Sequence, residues 1–233
     1  FSQSHAIADC DVDAPNLHIV TEKTGECRTK EFIGSKKAVI DETLCVHCGN
    51  CAEKCRFNAI SDKGMSYGVD EYHCEGCGVC QYVCPNDAVR LVEDVAGKQE
   101  LYLGDTVFST ATLKMSRGNS GKLVTAVKLD MLKHAPETVI GCPVIASDSG
   151  TDLALVVAEP SVSGLHDLKR LVKTAGTLET KLAVCVNKWD QSPGNTEQIL
   201  SFCEENAIPF VGKIPYDKTA SEAINEGKSL AEI

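Results

Sequence analysis

Two short stretches hold eight of the chain's thirteen cysteines. Residues 45–60 read CVHCGNCAEKCRFNAI and residues 74–89 read CEGCGVCQYVCPNDAV, and they align without a gap at an offset of 29 residues. Cys45, Cys48, Cys51 and Cys55 fall opposite Cys74, Cys77, Cys80 and Cys84. Each copy has the spacing C-x2-C-x2-C-x3-C, which lets closely spaced thiolates reach separate irons of one iron–sulfur cube. Gly49 and Gly78 recur at matching places and keep the backbone slim beside such a group. Zinc prefers isolated C-x2-C pairs, two to a tetrahedral site, and these are tandem runs of four. A disulfide framework belongs to small secreted chains, and no secretory feature accompanies the runs. His47 and His73 neighbour the cysteines but read as solvent-facing, because cysteines already fill eight places.

The block from about Lys37 to Glu93 resembles a bacterial two-cluster ferredoxin. In that family the fourth cysteine of each run ligates the other cluster. The resemblance therefore implies two 4Fe-4S clusters, one on Cys45, Cys48, Cys51 and Cys84, the other on Cys74, Cys77, Cys80 and Cys55. Pro85 follows the second run as the family pattern demands, whereas Arg56 stands at the first proline's place.

Composition bounds what surrounds this block. The chain has 233 residues and a net charge of −10, with aromatics at 5% and no cluster of Lys and Arg. That balance argues against nucleic-acid or lipid-surface binding. No run of about 18 apolar residues is present for a membrane span, and no charged-then-apolar leader follows Phe1. The expected setting is the cytoplasm, with thiols kept reduced.

Outside the block, strands and helices alternate. Strands are predicted over 5–11, 152–160, 181–188 and 208–217, and helices over 163–176, 195–206 and 219–226. Such alternation implies an α/β domain with a parallel sheet covered on both faces, interrupted by the ferredoxin-like block. Ligands of open α/β sheets bind at the carboxyl ends of strands. Three such ends carry polar residues: Asp9-Cys10-Asp11, Asn187-Lys188-Trp189-Asp190 and Pro215-Tyr216-Asp217.

The segments DCDVDAPNLHI, NSGKLV, GCPVIAS, EPSVSGLHDLKR, VNKWD and IPYD, together with the eight-cysteine insert, resemble MinD-superfamily (Mrp/MinD-like) P-loop ATPases that carry a ferredoxin domain. The resemblance implies a Rossmann-like P-loop NTPase fold divided as 1–36, 37–95 (the insert) and 96–233. It implies ATP or ADP with Mg2+ as cofactors. Asp11 matches the acid that orients the hydrolytic water, Asp9 the acid near Mg2+, and Asn187 the base-reading amide. Lys188 lies beside Asn187, and Pro215 belongs to the last matching motif. A homodimer is implied as well, and Cys142 is a candidate ligand across its interface. The implied activity is electron transfer through two clusters coupled to ATP. Alternatives are an ATP-dependent cluster carrier, and a ferredoxin on an inactive scaffold. The acidic charge calls for a redox partner with a basic docking face.

The chain departs from that pattern in three places. No P-loop precedes Asp9. Val139-Ile140 is short for a central strand before GCPVIAS, where five or six residues are usual. The stretch around Ser109–Ala111 reads as an abrupt join, so loops are expected to be missing there, before Phe1 and near Thr138–Gly141. RGNSGKLV imitates a phosphate loop, but G-x-x-x-x-G-K-[ST] fails at Ser116 and Leu123. It reads instead as a helix start with Ser120 as N-cap and Lys122 facing solvent. Cys10 and Cys185 read as small core residues, and Cys27 and Cys203 as inert or exposed.

Overall fold

A computed structural model describes residues 6–135, 139–141 and 152–228. Cys142 and most of GCPVIAS lie outside the described residues. The chain divides into two compact units, one of residues 1–15 and 23–141, the other of residues 16–22 and 142–233.

The first unit is built from β1 (Ala6–Asp9), β2 (Glu26–Ile33), β3 (Lys37–Ile40), α1 (Asn50–Glu53), β4 (Ile60–Asp62), β5 (Tyr67–Val69), α2 (Val79–Tyr82), β6 (Val89–Val92), β7 (Val95–Leu103), β8 (Val107–Leu113), α3 (Ser120–His134) and β9 (Val139–Gly141). Its main sheet has the order β2-β7-β8-β1-β9. β1 runs parallel to β8 and β9, whereas β2, β7 and β8 form an antiparallel meander. The sheet is therefore mixed, where the alternating pattern predicts a parallel one. The meander follows from the chain on either side of Gly104-Asp105, which turns β7 back onto β8 in register from Leu103↔Val107 to Gly97↔Leu113.

Two stretches read as joins carry strands of this sheet, with Thr138 outside the described residues. Ser109, Thr110 and Ala111 sit in the middle of β8, buried between β7 and β1, so the strand runs on through the stretch read as a join. Val139–Gly141, short as it is, pairs in parallel with Ile7–Asp9. α3 packs on β8 and β1 through Leu123, Val124, Val127 and Met131, which recur on one face and are buried. Its N-cap is Asn119, not Ser120. Asn119 takes a left-handed conformation (φ 75°), and its side-chain amide donates to Ser35 Oγ at 2.8 Å, which anchors the helix start to the chain entering β3. Lys122 is exposed, as the failed phosphate motif predicts.

The cysteine block enters and leaves this sheet between adjacent strands. β2 ends at Ile33 opposite Val95 of β7, and the block's own β3 and β6 pair antiparallel just beyond, from Lys37↔Val92 to Ile40↔Val89.

The second unit contains β10 (Leu153–Ala158), α4 (Val162–Leu178), β11 (Lys181–Asn187), α5 (Pro193–Glu205), β12 (Phe210–Ile214) and α6 (Lys218–Asn225). Its three strands are all parallel, in the order β10-β11-β12. Ala158, Val184 and Val186 pack with Leu168 of α4 and with Ile199 and Cys203 of α5. Ser161 caps α4, its Oγ accepting from Gly164 N at 2.9 Å, and Asp217 caps α6 by accepting from Thr219 N at 2.8 Å. Among the described residues of this unit, Leu153, Leu155 and Val157 of β10 stay 58%, 57% and 54% exposed, so coverage of both sheet faces is not met within it. Their apolar run reads like a strand buried on both sides, but only the alternate residues reach the helices. Cys203, read as inert or exposed, is buried in this core.

Candidate metal centres

Within the block the sequence repeat becomes a structural one. Asp41 N donates to Ala88 O and Asp70 N donates to Ala59 O, both at 2.7 Å, and these four residues are related by the same 29-residue offset. Gly49 and Gly78 precede α1 and α2 with φ of 81° and 80°. The left-handed turn at each is cheap for glycine and brings the backbone of the cysteine loop around toward the cavity. Each half also crosses over. β3 of the first half pairs with β6 of the second, while β4 and β5 pair with each other between them.

The crossing assembles two cavities. The first is lined by Cys45, Cys48 and Cys51 of the first run and Cys84 of the second, against Ile40, Tyr67 and Val89. The second is lined by Cys74, Cys77 and Cys80 of the second run and Cys55 of the first, against Phe57, Ile60 and Leu91. Cys51, Cys74 and Cys80 belong to the block's own core with Ala38, Ala59 and Val89, Cys55 and Cys84 pack against it, and Cys48 and Cys77 are exposed. Burial pushes the Cys51 and Cys80 thiols above their ordinary range, the response of a thiol that has no cation beside it.

The donor set fits iron–sulfur clusters. Four cysteines line each cavity, the other walls are largely apolar apart from Tyr67 and Asn86 in the first and Glu75 in the second, and backbone amides point at the sulfurs. Ala88 N donates to Cys84 Sγ at 3.3 Å, Ala59 N to Cys55 Sγ at 3.4 Å and Ala38 N to Cys74 Sγ at 3.5 Å. Such bonds stabilise the added negative charge of a reduced cluster. Among the described residues no three His, Cys, Asp or Glu side chains are arranged to hold a single metal ion. The sulfurs instead line the walls of a cavity.

His47 is exposed and bonds Asp62 at 3.0 Å while stacking on Tyr67, with ring centroids 4.9 Å apart. His73 is exposed and bonds Asp70 at 2.8 Å. Arg56 holds its guanidinium 4.8 Å from the centre of the Phe57 ring.

The other predicted site residues fall in both units. Asp9 ends β1, is buried, and accepts from Asp11 N at 3.1 Å; Asp11 in turn accepts from Ala14 N at 3.3 Å. In the second unit Asn187 ends β11 and Lys188 follows it with φ 53°. Lys188 Nζ pairs with Glu159 at 2.7 Å, and Asp190 accepts from Tyr216 N at 2.7 Å. Pro215, directly after β12, is exposed. These contacts tie together the carboxyl ends of β10, β11 and β12.

Two residues that matter here escape a reading of the sequence. Arg117, inside the false phosphate motif, has a side chain only 6% exposed and pairs with Asp94 at 2.8 Å and with Glu71. Burial works against its charge, but the bond to Glu71 and the charges of Asp94 and Glu71 outweigh it and raise its pKa. It also stands over the Tyr72 ring, 5.6 Å from its centre. Lys37 is buried and donates to Cys74 O. A lone basic residue has no spacing to flag it; the one usable signal is that Lys37 breaks the repeat, since Ser66 stands at its counterpart.

A family profile for a 4Fe-4S dicluster domain matches residues 38–91. Over 216 residues the chain is 31% identical to the uncharacterized protein MJ0578 of Methanocaldococcus jannaschii, covering 89% of this chain and 74% of that one. The chain belongs to the MJ0578 family. This MJ0578-family chain is also similar to the uncharacterized ferredoxin MJ0155 of the same organism, at 30% identity over 120 residues, 51% of this chain and 76% of that protein. Its block is similar to pyruvate synthase subunit PorD, again of M. jannaschii, at 32% over 76 residues, 32% of this chain and 81% of the subunit. The MJ0578-family chain thus carries a 4Fe-4S dicluster domain of ferredoxin type, and its chemistry is iron–sulfur electron transfer. Among the described residues no helix is long and apolar enough to cross a membrane.

Proposed function

We propose that the protein relays single electrons to or from a redox partner, with one cluster on Cys45, Cys48, Cys51 and Cys84 and another on Cys74, Cys77, Cys80 and Cys55. The observation that carries this is the pair of cavities, each lined by three cysteines of one run and the fourth of the other. When bound, a 4Fe-4S cluster supplies a one-electron carrier. The chain's own part is to offer thiolates, keep water from the sulfurs with Ile40, Val89, Ile60 and Leu91, and direct the amides of Ala38, Ala59 and Ala88 at them. The similarity to a pyruvate synthase subunit supports an enzyme as the partner, and the acidic charge supports a basic docking face on it. Anaerobic reconstitution should load about eight iron atoms per chain. A stoichiometry of one or two irons, or none, would sink the two-cluster reading.

The finer proposal is that ATP with Mg2+ controls this relay from the α/β parts, 1–36 and 96–233, that flank the insert at 37–95. Supporting it are the three parallel strands that bring Asn187, Lys188 and Pro215 to one set of carboxyl ends, where open α/β sheets take their ligands. Asp9 and Asp11 occupy the corresponding end of β1. Equilibrium dialysis of the cluster-loaded protein with MgATP tests it: retention that falls in Asn187→Ala supports nucleotide control, and no retention leaves a plain electron carrier. Release of the clusters to an apo-acceptor on adding MgATP would point instead to a carrier of clusters.

A further inference from the structure

The two halves of the block superimpose by sequence offset so closely that their differences can be read position by position. Around the second cavity the chain entering β3 wraps the first cysteine of the second run. Lys37 Nζ donates to Cys74 O, Ala38 N donates to Cys74 Sγ at 3.5 Å, and a Cβ placed on Gly76 would fall 2.0 Å from Lys36 O. The register that sets this up has its twin in the other half, because Ala38↔Leu91 in β3–β6 corresponds to Tyr67↔Asp62 in β4–β5. Lys37 therefore corresponds to Ser66, which is also buried. One cavity has a buried ammonium beside its first cysteine, and the counterpart of that lysine in the repeat is a buried serine, which carries no charge.

A second exchange acts in the same direction. Arg56 follows Cys55, which lines the second cavity, and its counterpart Pro85 follows Cys84, which lines the first. Arg56 is exposed, so solvent and salt weaken its field. On the opposing side Glu75 lines the second cavity where Val46 lines the first, but Glu75 is exposed and screened as well. Lys37 is the charge held out of water, where a charge acts most strongly on its neighbours.

We infer that Lys37 makes the two centres unequal, giving the one on Cys55, Cys74, Cys77 and Cys80 the higher reduction potential. Reduction adds one negative charge to a centre, drawn from the electron donor, with no bond made and no proton moved. A fixed cation beside Cys74 stabilises that added charge, and its repeat counterpart Ser66 supplies none to the first centre. Electrons then rest preferentially on the second centre, and the first is the one passed through. Lys37 acts as a positioning and tuning residue: it ligates nothing.

This rests on the two-cluster reading above, so the experiment counts iron before it measures potential. Redox titration with dithionite, followed by electron paramagnetic resonance, is run on the wild type, Lys37→Met, Lys37→Arg and Ser66→Lys, each loaded to about eight irons. The wild type should show two midpoints. Lys37→Met should lower the higher one, with at least a tenfold fall in its reduced fraction ratio at fixed potential, about 59 mV for one electron. Lys37→Arg should keep the separation, and Ser66→Lys should raise the lower midpoint toward the higher. If Lys37→Met fails to load, Lys37→Arg and Ser66→Lys still decide. Full loading with Ser66→Lys leaving both midpoints in place, or Lys37→Met shifting both alike, overturns the inference while the two-cluster reading stands. Failure of the wild type to load overturns the reading itself.

Discussion

In the cysteine block, donors that line one cavity stand three residues apart in the chain, and only the fourth comes from afar. At the ends of β10, β11 and β12 the groups that meet are distant. Lys188 reaches Glu159 across 29 residues, and Asp190 takes the Tyr216 amide across 26. The first arrangement writes its chemistry into local spacing, and any chain carrying it can be read. The second writes it into strand order, so Asn187 or Pro215 alone looks like an ordinary strand-end turn. The contrast also separates what stabilises each part. The block is small and wraps its core around thiols, whereas residues 152–228 bury Leu168, Val184, Val186 and Ile199 against one another.

The largest effect should come from removing a donor. Cys74→Ala takes a buried thiol from the second cavity and with it the acceptor of the Ala38 amide. Iron should fall to about four per chain, and amide exchange should quicken through β3 and β6 while β10–β12 keep their protection. Equal loss of protection in both parts would break the contrast drawn here.

Next comes the ion pair that joins the block to the main sheet's flank. Arg117→Met leaves Asp94, 15% exposed, without its cation and frees Glu71 from the chain entering α3. Breaking a buried pair by removing one partner costs about 3 kcal/mol, so the urea midpoint of the loaded protein should drop by a corresponding amount. Arg117→Lys should recover less than half, since one ammonium cannot serve both carboxylates with the reach of a guanidinium. Wild-type stability in Arg117→Met would mean that the pair is a surface contact in solution.

The smallest effect is expected at α6. The Thr219 hydroxyl, and after it the Thr219 amide, hold the Asp217 carboxyl below its ordinary range. A depressed carboxylate stabilises the fold above its unfolded pKa of about 4 and loses that contribution as pH falls through the lower folded value. Exchange of the α6 amides, taken relative to its intrinsic rate at each pH, should therefore quicken as the pH is lowered from about 5 to about 3. Asp217→Ala should quicken it at neutral pH and flatten the dependence, with the cysteine block unaffected.

Much of this fold is legible in the sequence where period and punctuation agree. β11, predicted over 181–188, ends at Asn187, and α4, predicted over 163–176, runs from Val162 to Leu178. The meander is harder. β2 reads ECRTKEFI, half charged and mostly exposed, and has no apolar face to mark it; it exists because β7 offers it an edge. Ser109, Thr110 and Ala111 read as a join because the resembled family has a longer loop there, yet Ser109 is buried with its hydroxyl donating to Val127 O at 3.0 Å. Asn119 displaces Ser120 as the helix cap because of a contact with Ser35, 84 residues away, which no local pattern reveals. For the candidate site the same division holds. Eight cysteines announce themselves by spacing, and Lys37 and Arg117 act through partners reached only after folding.

The pairing of Ile33 with Val95 puts the block's entry and exit on neighbouring strands, a strand spacing of about 5 Å apart. Seen from the main sheet, the whole two-cavity module occupies the place of a hairpin loop between β2 and β7. A module hung at such a point can be gained or lost in one genetic event without re-threading the sheet. Its removal would ask only that a short turn close the gap. Length itself adds little to the cost of keeping it, since each doubling of a loop raises the closure entropy by only about 0.6 kcal/mol. The same geometry makes β2 and β7 a two-rail track from the metal centres into the sheet, so the module is removable in inheritance yet mechanically continuous with its host.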